Sequence, residues 1–183
     1  MHLTSLMNHR ACRYSLYIIK KERKDKRLYG AEVGVHLGLN ALSFLRYLPL
    51  QCLYLVDPYN NYEGFDGDFH ENFYTTRKQA SHILKKYENT IVWIRDFSAN
   101  AVKRIPDTSL DFVYIDGNHL YKWVKRDMEL WYPKLKNGGI LCGHDYNIFD
   151  VSRAVVEFAK KLGIKPLLGG YPIDWSIKKP SKQ

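Results

Sequence analysis

The sequence predicts an α/β fold: a doubly wound, mostly parallel seven-stranded sheet that ends in a C-terminal antiparallel hairpin. Three observations carry the prediction. Short apolar runs alternate with amphipathic helical patterns along the chain, as βαβ units require. A glycine-bearing turn joins the first run to the first of these helices. The last two runs are separated only by Leu168-Gly169-Gly170-Tyr171-Pro172, too short for a crossover, so the final strand must run antiparallel to its neighbour.

Strands are expected at 29–35, 52–56, 91–94, 110–115, 139–142, 164–168 and 173–177. Between them, 40–48 carries Ala41, Phe44, Leu45 and Leu48 as an i, i+3, i+4, i+7 stripe, and Pro49 closes it. A longer helix is expected over 69–87 and a short one over 98–104. The helix at 119–130 gathers Leu120, Trp123, Val124 and Leu130 on one broad face, continued by Trp131. The last helix, 151–162, stops at Gly163.

At 183 residues the chain fits one domain with a core that needs no disulfide or structural metal. Residues 1–28 read as a basic, helical N-terminal segment, 29–179 as the motif-bearing domain and 180–183 as a tail. Cys12, Cys52 and Cys142 are widely spaced and odd in number, which argues for a reducing compartment and against a zinc knuckle. The longest early apolar run, 14–19, is too short for a membrane span or a signal peptide core. A cytoplasmic protein is expected. The formal charge of +9 is partly concentrated in KKERKDKR at 20–27. Such a run can face phosphates, but without interleaved aromatic residues it reads first as a solvated helix end.

The first strand ends in Glu32-Val33-Gly34-Val35-His36-Leu37-Gly38. Glycines at a strand-to-helix turn let backbone approach a ligand beneath a helix N-terminus. A dinucleotide GxGxxG fails in either alignment, because His36 or Glu32 would stand where a glycine must meet the pyrophosphate. A P-loop fails for want of GK[ST]. The ExGxxxG that remains resembles motif I of S-adenosylmethionine (SAM)-dependent methyltransferases, and the resemblance implies that Glu32, Gly34 and Gly38 adjoin the aminoacyl part of the cofactor. Asp57 ends the second strand about 20 residues further on, where an acid suits ribose hydroxyls. After the third strand, Asp96 or its backbone is placed to meet the adenine amine, with Phe97 along the ring. The plainer alternative is that Ser98 caps the next helix and Phe97 is core.

The run 110–146 holds Asp116 and His119 after the fourth strand and His144 and Asp145 after the fifth. Carboxylates at neighbouring strand ends can hold a hard divalent cation that lowers the pKa of an acceptor hydroxyl. His119 is the natural general base, because imidazole titrates near neutral pH. Adjacent strand residues point to opposite faces, so His144 and Asp145 enter one site together only if the strand has broken by then. The pattern IDGxHxYxxVxxDxxxWxPxLxxGGxxxGHDY resembles a family of small class I methyltransferases related to macrolide-sugar O-methyltransferases and cephalosporin-hydroxylase-like proteins. The likeness spans about residues 30 to 178 and includes the closing DWSIKK. Tyr121, Asp127 and Trp131 match it too but read as structural, Asp127 anchoring a partner at the helix surface and Trp131 lying in the core. Segment 60–71, acidic and aromatic with two glycines, reads as a flap near the acceptor.

These readings imply a SAM-dependent O-methyltransferase of a small hydroxylated acceptor. Asp116 and His119 are its catalytic pair, and Asp116, Asp145 and the undecided His144 hold Mg²⁺ or another divalent cation. Two alternatives stay open: a methyltransferase of RNA or another polyanion, suggested by the charge, and a non-catalytic SAM- or nucleotide-binding module. No membrane partner is expected, and a homo-oligomer is compatible with the basic segment.

Overall fold

The computed structural model describes residues 13–24, 27–61 and 72–181. One seven-stranded sheet holds β1 (Leu28–Val33), β2 (Leu50–Val56), β3 (Ile91–Ile94), β4 (Leu110–Ile115), β5 (Leu135–Gly143), β6 (Leu167–Gly169) and β7 (Asp174–Lys178). The spatial order is β3-β2-β1-β4-β5-β7-β6. Strands β1 to β5 pair in parallel, whereas β7 runs antiparallel to both β5 and β6. The described helices are α1 (Tyr14–Glu22), α2 (Leu39–Tyr47), α3 (Phe73–Leu84), α4 (Ser98–Ala101), α5 (Tyr121–Trp131) and α6 (Phe149–Lys161). None is long and apolar enough to cross a membrane.

The sheet divides the apolar residues by strand parity. Along β4, Val113 and Ile115 join a core completed by Val124, Met128 and Trp131 of α5 and Val151, Val155 and Phe158 of α6. Phe112 and Tyr114 point the other way, into a core with Leu16 and Ile19 of α1, Phe44 of α2 and Leu84 of α3. Helices on both faces bury every residue of β4, so its sequence reads as a continuous apolar run rather than an alternation.

The N-terminal helix belongs to this second core, although the sequence sets it outside the motif-bearing region. Ile19 is fully buried, and the Ser15 amide donates to Asp174 Oδ2 on β7 at 2.8 Å. Arg23, just beyond α1, ion-pairs with the buried Asp111 of β4, which also takes Lys136 Nζ at 2.9 Å. Part of the basic run is thus consumed by structure.

Element boundaries shift from expectation by a few residues throughout, and three of the shifts have a clear physical cause. Strand β5 begins at Leu135, because Leu135 pairs with Leu110 across a register shift. Residues 164–166 are not strand: the Ile164 amide turns back to Ala159 O at the end of α6, and Pro166 has no N–H for a ladder. Helix α5 starts at Tyr121, whose amide donates to Asp150 Oδ2 at 3.0 Å, which leaves His119 in the preceding loop.

Candidate active site

Strand order reverses between β1 and β4, so the loops leaving their C-terminal ends part and open a crevice. A cavity of about 810 Å³ lies there. Gly34 forms its floor with φ +88°, and a Cβ on it would sit 2.1 Å from the Asp116 carbonyl oxygen. Only glycine permits both that torsion and that approach. Gly38, at φ +75°, is the N-cap of α2, whose first residues Leu39 and Asn40 line the cavity.

Asp57 ties the glycine turn together. Its Oδ2 accepts the amides of Val35 at 2.8 Å and His36 at 2.9 Å, and its Oδ1 accepts that of Tyr59 at 2.7 Å. The Tyr59 hydroxyl donates to the His36 carbonyl at 2.9 Å. His36 and Tyr59 both hold positive φ, +48° and +46°, a region L side chains seldom occupy. The carboxylate read from sequence as a ribose ligand therefore also organises the loop, leaving chiefly Oδ1 with spare accepting capacity. It still borders the cavity.

Glu32 is 1% exposed, and burial pushes its carboxyl well above the ordinary range. Its Oε1 accepts from Asn40 Nδ2 at 2.9 Å. Glu32 Oε2 and Asn40 Oδ1 are buried without a hydrogen-bond partner, and both residues line the cavity. Two acceptors lacking donors suit a ligand ammonium, such as the amino group of an amino acid moiety.

At the far end the two adenine candidates separate. Phe97 lines the cavity; Asp96 does not. The Asp96 side chain accepts from the Phe97 amide at 2.8 Å, Asn100 Nδ2 at 3.1 Å and Arg104 at 3.0 Å, and so is engaged outside the cavity lining, whereas the adjoining Phe97 borders it. Ser98 does not cap α4; its hydroxyl donates to Asp127 Oδ1 at 2.6 Å and accepts from Trp131 Nε1 at 2.8 Å. Trp131 is core as expected, whereas Asp127 is buried in the cavity wall rather than at the helix surface. Burial pushes its carboxyl up to about 6.

Near the floor, two loops bring the titratable residues together. His119 Nε2 lies 3.6 Å from Asp116 Oδ1 and 3.4 Å from Asp145 Oδ2. His144 Nδ1 lies 3.0 Å from Asp145 Oδ1 and 3.7 Å from Asp116 Oδ1. The conflict between His144 and Asp145 disappears because β5 ends at Gly143 and Asp145 takes φ +56°, so strand alternation no longer applies. The hydrogen bond from His144 holds the Asp145 carboxyl below its ordinary range. One ligand atom from each of Asp116, His144 and Asp145 lies within 4.8 Å of the others, a donor set of two carboxylates and an imidazole that a divalent cation accepts. Of these residues, Asp116 and His119 line the cavity.

Arg13, Asn40, Tyr59 and Trp123 also line it and were not singled out from sequence. Asn40 had a signal, a polar residue in the first turn after the glycine loop. Arg13, with NH2 3.9 Å from Asp116 Oδ2, had none, because its approach depends on how α1 docks. Of the expected flap, Asn60 borders the cavity and 62–71 lie outside the described residues.

A family model described as a methyltransferase domain matches residues 31–146. An uncharacterised protein, y4gI, of Sinorhizobium fredii (strain NBRC 101917 / NGR234) is 28% identical over 147 residues, which are 75% of this chain and 15% of that protein. The chain thus spans less than a sixth of that curated relative. An rRNA methylase from Streptococcus thermophilus superposes with a TM-score of 0.68 at 15% identity, covering 96% of this chain and 99% of that one. The O-methyltransferase NovP superposes with a TM-score of 0.66 at 15% identity, over 91% and 79%. At these identities the structural likeness is one of fold.

Proposed function

Because the chain belongs to the methyltransferase-domain family, we propose that it moves a methyl group from SAM to a hydroxyl oxygen of a small acceptor, assisted by a divalent cation. One observation carries the reading: the residues suited to hold the donor, Glu32, Gly34, Asp57 and Phe97, line the same cavity as Asp116 and His119. The class I fold and the position of the cavity at the strand-order reversal support it.

Glu32 Oε2 and Asn40 Oδ1 receive the amino group of the donor. The backbone at Gly34 admits its aminoacyl chain, Asp57 holds the 35–36 turn and offers Oδ1 towards the ribose, and Phe97 flanks the base. When bound, the donor would supply an electrophilic methyl on a positively charged sulfur, whose transfer to the acceptor oxygen would leave a neutral thioether. The oxygen must shed its proton. His119 takes it, and Asp116 and Asp145, 3.6 and 3.4 Å from its Nε2, stabilise the imidazolium that forms. Asp116, His144 and Asp145 would hold the cation, which supplies a lowered hydroxyl pKa and a fixed position for the acceptor. A hydroxyl is favoured over a more basic amine because these groups serve deprotonation.

Calorimetry with S-adenosylhomocysteine (SAH) and turnover with hydroxylated acceptors test the assignment. Asp57→Ala should weaken SAH binding roughly tenfold or more, through the turn as well as the ribose contact. His119→Ala should bind SAH normally and lose about 10²- to 10⁴-fold in turnover. Equal loss of SAH affinity in both variants would sink this division of roles.

A further inference from the structure

Asp127 is the buried carboxylate in the cavity wall that the proposed transfer leaves unused. It is 7% exposed and belongs to α5, near Phe97, Ser98 and Trp123 on the same lining. The bonds around it have a fixed direction. An indole N–H only donates, so Trp131 Nε1 gives to Ser98 Oγ, and the single Ser98 proton goes to Asp127 Oδ1. Asp127 is thus kept as an acceptor. Its Oδ2 has no hydrogen-bond partner among the described residues. A carboxylate oxygen with no protein donor, on a residue that lines a cavity, is free to accept an N–H or O–H from whatever fills it.

The residue expected to meet that group is committed elsewhere. Asp96 accepts from the Phe97 amide, Asn100 and Arg104, and does not border the cavity. Phe97 does, and the residue is 45% exposed. An apolar ring face and a carboxylate on one wall describe a slot for a flat base that carries an amino group.

We infer that Asp127, and not Asp96, selects the donor's base by accepting a hydrogen bond from its exocyclic 6-amine. The assignment rests on the cavity being a SAM site. It makes Asp127 a specificity-determining residue with no part in the methyl transfer. A 6-oxo purine turns a lone pair towards the carboxylate where the 6-amine offers a proton, and so loses the bond and adds repulsion.

Calorimetry at pH 8 with SAH and S-inosylhomocysteine, its 6-oxo counterpart, tests this. Wild type should prefer SAH by roughly ten- to a hundredfold, the range for a hydrogen bond to a charged group. Asp127→Asn keeps the Ser98 bond at its oxygen and presents an amide donor at the other position, so the preference should collapse towards parity. Asp96→Asn should leave it intact. A preference unchanged in Asp127→Asn, or one lost in Asp96→Asn, overturns the assignment while leaving the SAM reading standing. Failure of wild type to bind either compound overturns both. Should Asp127→Asn not fold, wild type still decides, because equal affinity for the two ligands excludes recognition of the amine.

Discussion

At the scale of single residues, backbone torsion and near-contact determine what can be exchanged. Gly34 and Gly163 both hold positive φ, +88° and +69°. A Cβ at Gly163 would meet nothing within 4 Å, whereas one at Gly34 would lie 2.1 Å from the Asp116 carbonyl oxygen. Gly163→Ala should therefore cost only the torsional term, about 1–2 kcal/mol. Gly34→Ala must in addition push β1 from β4 at the cavity floor, so a loss above about 3 kcal/mol with impaired SAH binding is expected. Chemical denaturation of both variants checks this; equal losses would mean that the close approach to Asp116 does not matter. Three of the positive-φ non-glycine residues, His36, Tyr59 and Asp145, flank the same site, each held by a hydrogen bond or ion pair described above.

At the scale of elements, α1 shows how a segment without a family motif becomes part of the domain's fold. Its hydrophobic residues at 16, 18 and 19 are buried against the sheet, and Ser15, Glu22 and Arg23 tie its two ends to β7 and β4. Ile19→Ala should cost about 2–5 kcal/mol through lost burial and the cavity left behind. Unfolding followed by tryptophan fluorescence and circular dichroism should remain one transition. Two separated transitions would mean that α1 is an appendage. The same docking brings Arg13 to the cavity rim beside Asp116, so α1 contributes to the site as well as to stability.

For the whole molecule, the cavity is shared between the two cores. Its walls come from the start of α2 on one face of the sheet and from α4 and α5 on the other. A ligand bridging them should stabilise both faces together. SAH at a hundred times its dissociation constant contributes about 2.7 kcal/mol. For a domain of this size that raises Tm by roughly 5–10 °C in one cooperative transition. NADH at the same concentration should shift Tm by less than about a degree, because the turn around Gly34 carries side chains where a pyrophosphate needs glycines. A larger shift with NADH than with SAH would overturn the cofactor reading.

The sequence by itself determined the architecture and the neighbourhood of the site. Alternating apolar runs and helical stripes are local patterns, and they survive in strands β1 to β5 and helices α2 to α6 with small changes at the ends. The glycine turn and the Asp and His residues after β4 and β5 were equally legible, because their positions follow from where strands stop. Tertiary structure alone decided what those side chains touch. His144 joins Asp145 because the backbone leaves β5 at Gly143 and turns through φ +56° at Asp145, a torsion that residue type does not dictate. Asp57 meets Val35 and His36, and Ser98 meets Asp127, across 21 to 29 residues of chain. Burial follows from such long-range packing, so the sequence could place a carboxylate on α5 but not inside the cavity wall, where an acceptor without a donor becomes a means of choosing a ligand.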